Sequence, residues 1–198
     1  MRHSRILVAA ILALTILTGC SGLKRAAYNG FNRDKWQQPD RVIQTLRIPP
    51  GAQIADLGAG GGYLTFRLAK ATGPDGRVYA VDVDPAMTDF VQKSAREQGV
   101  QNVQTILAEP QDPKLPQRGI DLIFICNTYH HLKDRVAYLA RLMKSLRPGG
   151  RIAILDFKQG RNSTPAKTIR AEMIQAGFNL DGKYDFLTKQ NFQIFSAN

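Results

Sequence analysis

Asp56 stands two residues ahead of Gly58 in the stretch Ile54-Ala55-Asp56-Leu57-Gly58-Ala59-Gly60-Gly61-Gly62-Tyr63. A carboxylate at the mouth of a glycine-rich turn suits a ligand that carries positive charge. Glycine at 58 and 60 allows positive φ and lets a ligand approach bare backbone. The spacing differs from that of a dinucleotide turn, because the frame G-x-G-x-x-G begun at Gly58 needs glycine where Tyr63 stands. An acid at 56 is poorly placed for a pyrophosphate and well placed for an ammonium group. A second acid, Asp82, ends the next apolar run, and a third, Glu109, follows the one after it. Asn127-Thr128-Tyr129-His130-His131 closes a fourth run. Neutral imidazole takes a proton from a hydroxyl or thiol near neutral pH, which makes His130 a candidate general base. The plainer alternative is that one histidine caps the next helix and the other packs.

Such residues work together only if the strands that carry them end side by side. Ile54 to Leu57 is a short apolar run, and an amphipathic helix beginning near Tyr63 follows it, with Leu64, Phe66, Leu68 and Ala69 apolar. This is the start of a strand–helix–strand crossover. Gly73-Pro74-Asp75-Gly76 is a turn into a second strand, Arg77 to Val83. In a doubly wound sheet an acid at the carboxyl end of the second strand lies beside the first glycine turn, where it can accept ribose hydroxyls. Asp84 before Pro85 reads as the N-cap of a helix that ends at Gly99. A third strand is expected over Val103 to Ala108. Pro110, Pro113 and Pro116 then leave little room for a helix, so the third crossover reads as a loop. Ile120 to Asn127 is a continuous apolar run, as in a strand covered on both faces. The spacing predicts a helix over Asp134 to Arg147, closed by Pro148-Gly149-Gly150, and a strand over Arg151 to Phe157. A last helix from Thr164-Pro165 to Gly177 precedes two paired strands, Phe178 to Phe186 and Gln190 to Ser196. Ahead of the first strand, Pro39 opens a helix with Val42, Ile43 and Leu46 on one face. Trp36 before it reads as a packing residue, or else as part of a cover over the cleft.

The motif Asp56 to Gly62, the second acid Asp82 and the turn Leu146-Arg147-Pro148-Gly149-Gly150-Arg151 give residues 33–198 a resemblance to the class I S-adenosylmethionine-dependent methyltransferases. The resemblance implies an α/β fold: a doubly wound, Rossmann-like sheet of seven strands in the order 3-2-1-4-5-7-6, the last antiparallel, in a three-layer sandwich. It implies S-adenosylmethionine as cofactor, a molecule with an ammonium, a sulfonium and no phosphate. The expected cofactor residues are Asp56, Gly58, Gly60 and Tyr63 at the first turn, Asp82 on the ribose, Glu109 (with Asp112 as the alternative) against the adenine amino group, and Asn127. The family allows a histidine or an acid after the fourth strand without fixing its role, so His130 stands as the catalytic candidate. No metal is implied. The acceptor is expected to be small or lipidic. Asn-Pro-Pro-Tyr does not occur, so a likeness to the enzymes that methylate amino groups of bases or glutamine is not supported.

The first residues belong to a different kind of signal. Arg2, His3 and Arg5 precede Ile6 to Leu17, an apolar stretch interrupted only by Thr15. That suits the core of a signal peptide and is short for a bilayer span. Leu17-Thr18-Gly19-Cys20 resembles the lipobox of bacterial lipoproteins, which implies cleavage before Cys20 and diacylglycerol on its thiol. The expected organisation is a signal peptide over 1–19, a lipidated tether over 20–32 and the domain over 33–198. It implies a bacterial envelope protein, lipid-anchored and facing the periplasm. Cys126, the other cysteine, falls inside a buried strand and reads as a small core hydrophobe. The formal charge of +11 comes from scattered residues with no Lys/Arg run longer than two, so no nucleic-acid partner is expected. Export sits uneasily with a cofactor made in the cytoplasm. A second reading is therefore a non-catalytic envelope lipoprotein that keeps the fold as a binding or structural module. A nicotinamide oxidoreductase is a third, disfavoured by Tyr63. Labelled palmitate should enter the wild-type chain, while Cys20→Ser should take up none and accumulate as precursor. A wild type that takes up no label overturns the anchor.

Overall fold

The computed structural model describes residues 32–197. Cys20, the signal segment 1–19 and the tether up to residue 31 lie outside the described residues. Two short helices open the fold, α1 (Arg33–Gln37) and α2 (Pro39–Leu46). There follow β1 (Gln53–Leu57), α3 (Thr65–Thr72), β2 (Arg77–Asp82), α4 (Pro85–Glu97), β3 (Val103–Leu107), β4 (Ile120–Cys126), α5 (Arg135–Met143), β5 (Leu146–Phe157), α6 (Ala166–Gln175), β6 (Phe178–Tyr184) and β7 (Gln190–Ala197). The seven strands form one sheet in the order β3-β2-β1-β4-β5-β7-β6, as the resemblance implied. β7 runs antiparallel to both of its neighbours, and the pairs from β3 to β5 are parallel.

Period-two alternation divides the strand residues between two cores. Ala55, Leu57, Ile123, Ile125, Ile152 and Ile154 pack on one face with Leu139 and Leu142 of α5 and Ile169 and Met173 of α6. Ile54, Leu122, Phe124, Ala153 and Leu155 pack on the other with Val42 and Leu46 of α2 and Leu68 of α3. Because both faces are covered, β4 is apolar throughout. Asp56 has the parity of Ile54 and falls on the α2/α3 face. Asp156 has the parity of Ile154 and falls on the α5/α6 face. No helix lies between β3 and β4, in keeping with the three prolines there, and Leu107 at the sheet edge is half exposed. No described helix is long and apolar enough to cross a membrane.

Several boundaries differ from the sequence expectation, and three have an evident reason. α3 begins at Thr65 rather than near Tyr63, because Gly60 and Gly62 hold positive φ. α5 ends at Met143 rather than Arg147, and β5 begins at Leu146 rather than Arg151. Leu146 pairs with Ile120, and the register shifts before Leu122 pairs with Arg151, so Pro148-Gly149-Gly150 forms an irregularity within a strand. The expected N-cap is borne out: the Asp84 side chain accepts the Ala86 N–H at 2.9 Å. A Cβ on Gly150 would come within 2.9 Å of the Arg147 carbonyl oxygen and 3.0 Å of that of Ile120, both backbone atoms that cannot turn aside. Gly150→Ala should therefore lower the unfolding free energy by about 1–3 kcal/mol in urea titration. An unchanged midpoint and slope would show that this irregularity yields without strain.

Candidate functional site

The carboxyl ends of β1, β2 and β4 open into one cleft of about 430 Å³, within the range of small-molecule sites. Asp56, Gly58, Gly60, Tyr63, Asp82, Glu109 and Asn127 all line it. The turn after β1 is closed by its own bonds. Gly58 and Ala59 donate their N–H groups to the Val81 carbonyl at 2.8 and 3.0 Å, and Gly60 donates to Asp82 Oδ2 at 2.8 Å. Asp82 Oδ1 takes the Asp84 N–H at 3.0 Å. The amides that a pyrophosphate would need are thus engaged within the protein. Each Asp82 oxygen keeps a lone pair for a hydroxyl donor. Gly58 has a second reason besides the expected one. A Cβ there would lie 2.1 Å from Thr128 Oγ1, so the bare backbone also makes room for Thr128.

Asp56 is buried, and its Oδ2 accepts the Thr65 hydroxyl at 2.6 Å. Burial pushes its carboxyl up to about 6, against the lowering influence of the Thr65 bond and the Arg33 guanidinium. A buried carboxylate on the wall of a cleft favours a cationic ligand, which would restore the ionised form. Tyr63 stands between two guanidinium groups, Arg33 at 3.9 Å and Arg67 at 4.4 Å from its ring centre. Its hydroxyl donates to Asp34, and burial with that bond pushes its pKa up. Glu109 sits at the rim, largely exposed and paired with Lys114 at 2.9 Å.

Asn127 holds φ 55° and donates its backbone N–H to the Leu155 carbonyl. Its Oδ1 accepts from Gln190 Nε2 at 2.6 Å. Cys126 is buried as expected, with burial pushing its thiol up to about 11, but its surroundings are polar. Gln37 Nε2 lies 3.0 Å from both the Cys126 sulfur and Gln190 Oε1. A chain of amides from α1 to β7 therefore fixes the floor of the cleft.

His130 lies behind the wall of the cleft. Its side chain is 7% exposed, and Nδ1 is 2.7 Å from Asp156 Oδ1. Asp156 is wholly buried at the end of β5, and its Oδ2 has no hydrogen-bond partner among the described residues. His131, the neighbour not singled out in the sequence, lines the cleft and packs against His130 with ring centroids 4.0 Å apart and planes tilted by 52°. Burial and the adjacent His130 lower its pKa. Trp36 packs on Phe157 with centroids 6.0 Å apart, and it is Arg33, not Trp36, that α1 brings to the cleft. Asp156 had a signal of the same kind as Asp56 and Asp82, an acid at the end of an apolar run. Arg33 had none, one cation among many.

Residues 54–150 match the family model described as a methyltransferase domain. The chain is 34% identical over 122 residues to the aklanonic acid methyltransferase DauC of Streptomyces sp., covering 61% of this chain and 56% of that protein. It is 27% identical over 127 residues to the ubiquinone/menaquinone biosynthesis C-methyltransferase UbiE of Shewanella halifaxensis, covering 64% and 51%. The chain thus spans about half the length of the curated relatives it matches. A solved S-adenosylmethionine-dependent methyltransferase of Aquifex aeolicus shares the fold with a TM-score of 0.83 at 22% identity, covering 88% of this chain and 97% of that one. The cofactor that these matches together imply is S-adenosylmethionine.

The raised Asp56 pKa has a definite sign. The protonated form is favoured in the fold, so its contribution is full below the ordinary value of 3.8 and is lost as pH rises through about 6. Cofactor-free protein should lose about 1–3 kcal/mol of stability across that window, and Asp56→Asn should lose less. Identical pH profiles for the two would show that Asp56 is not the group responsible.

Proposed function

We propose, for a chain whose residues 54–150 match a methyltransferase domain, that residues 33–198 transfer a methyl group from S-adenosylmethionine to a small or lipidic acceptor, at a membrane to which Cys20 anchors the chain. The observation that carries the reading is the convergence of Asp56, Asp82 and the self-bonded glycine turn on one cleft. The bound cofactor would supply an electrophilic methyl on a sulfonium, open to in-line attack. The protein's part is to position donor and acceptor and to exclude water. Asp56 suits the ammonium, the free lone pairs of Asp82 suit the ribose hydroxyls, and the guanidinium of Arg33 suits a carboxylate. Glu109 and Asn127 border the same space.

A base matters only where the acceptor must lose a proton. His130 remains the proposed base: Asp156 holds its Nδ1, and because its side chain lies behind the cleft lining, a proton would reach it by way of His131, which lines the cleft beside it. Two relatives are named for aklanonic acid and for quinone biosynthesis, which supports an acceptor with a large apolar body. The competing reading, an exported chain that keeps the fold as a binding module, draws on the N-terminal signal and on the rule that a fold does not fix a function.

Calorimetry with S-adenosylmethionine separates these readings. Wild type should bind, and Asp82→Ala should bind roughly ten- to a hundredfold more weakly through loss of charge-assisted hydrogen bonds. With labelled cofactor and a lipid extract, His130→Asn should lower turnover by roughly 10²–10⁴-fold and spare affinity. No binding at all removes both the cofactor and the catalytic roles. Binding without transfer to any extract component favours the binding module.

A further inference from the structure

The lysines that are scattered along the chain are partly gathered by the fold at one end of the sheet. β5 ends there at Phe157, β7 begins there at Gln190 opposite it, and α1 crosses above them through the Gln37 bonds to Cys126 and Gln190. Trp36 is half-buried on that face, tilted against Phe157, with Lys189 Nζ 5.3 Å from its ring centre. The backbone N–H of Lys158 donates to the Lys189 carbonyl at 3.0 Å, and the Lys158 ammonium donates to the Leu187 carbonyl at 2.7 Å. Lys35 on α1 and Lys189 are exposed. Of the acids on these elements, Asp34 accepts from Tyr63 and Arg67, Asp185 pairs with Lys183, and Asp40 on α2 is exposed. The result is an indole plate with the Lys189 ammonium over its ring and Lys35 next to it on the same helix. It borders the mouth of the cleft, because Arg33 on the same helix lines the cleft. The chain also enters the described residues at Asn32, directly ahead of α1.

We propose that this face rests on an anionic phospholipid surface, with Trp36 at headgroup depth and the cleft opening toward the bilayer. Indole rings and lysine stems are suited to such an interface, where the ring meets acyl chains and the ammonium groups meet phosphate. Anionic lipid attracts lysines held close to the surface. The connection upstream fits the same orientation. The residues between Cys20 and Arg33 can extend at most about 45 Å. A lipid on Cys20 therefore keeps this end of the sheet near the membrane. The geometry rests on the proposed anchor and is independent of the cofactor assignment. It also gives a lipidic acceptor a route that does not cross water.

Trp36 is the chain's one tryptophan, so its fluorescence reports this face alone. The full chain is reconstituted into phosphatidylcholine vesicles with and without phosphatidylglycerol, using plain or brominated acyl chains. In the anionic vesicles Trp36 emission should shift to the blue and be quenched by brominated lipid. The double variant Lys35→Glu, Lys189→Glu should still float with the vesicles, with quenching reduced by about half. A chain that floats with vesicles but whose Trp36 ignores brominated lipid overturns the docking face and leaves the anchor intact. A chain that floats with neither vesicle overturns anchor and face together, and calorimetry with S-adenosylmethionine on the same sample shows whether the cofactor reading survives. A Trp36 shift with an acidic oligonucleotide and none with vesicles overturns the lipid partner in favour of a soluble polyanion.

Discussion

The Asp56 carboxylate is held at the end of a central strand, buried, with a threonine hydroxyl on one oxygen. Burial dominates its chemistry and raises its pKa, so a positive charge brought into the cleft would stabilise the ionised form. Much of the surrounding structure bears on that single group. β1 places it on the α2/α3 face by parity. α3 begins at Thr65, and it is the Thr65 hydroxyl that reaches it. α1 brings the Arg33 guanidinium close enough to oppose the effect of burial. A cationic ligand completes what the protein leaves partly compensated, and that is a physical reason for selectivity toward ammonium and against phosphate.

The two faces of the sheet contribute different things to the same opening. The α2/α3 face supplies the acid and a run of amides, Gln37, Gln190 and Asn127, that hold α1 to the ends of β4 and β7. The α5/α6 face supplies a buried imidazole–carboxylate pair, His130 with Asp156, and presents His131 in front of it. The buried acid of the cleft and the buried imidazole–carboxylate pair are thus separated by the thickness of the sheet. They meet only at its carboxyl edge, where strand order reverses on either side of β1 and β4.

What could be read from the sequence was whatever depends on local pattern. Continuous apolar runs marked the buried strands, acids at their ends marked Asp56 and Asp82, and three prolines marked the missing helix. What could not be read depended on partners far away in the chain. Pro148-Gly149-Gly150 looks like a terminator, and only the pairing of Leu146 with Ile120 makes it part of a strand. Cys126 looks like a core residue until residues 37 and 190 arrive beside its sulfur. Gly58 looks like a place for a ligand, and its lack of a side chain also makes room for Thr128. His130 and His131 are indistinguishable as letters, and a single short turn, Tyr129 to His131, sends one inward to Asp156 and the other to the cleft.

The pairing of β1 with β4 has a bearing on how the molecule comes to be made. Ile54 and Leu122 are neighbours in the sheet, and no local turn joins their strands. During synthesis the first half of the chain can form β1, β2, β3 and their helices, but the central seam stays open until β4 has emerged. The antiparallel closure against β7 waits for the last residues. Parallel sheets with distant partners assemble slowly, because the chain entropy of the long loop is lost before the contacts form. A nascent chain of this topology remains loose over most of its production. That delay exposes apolar strands to aggregation before the fold closes.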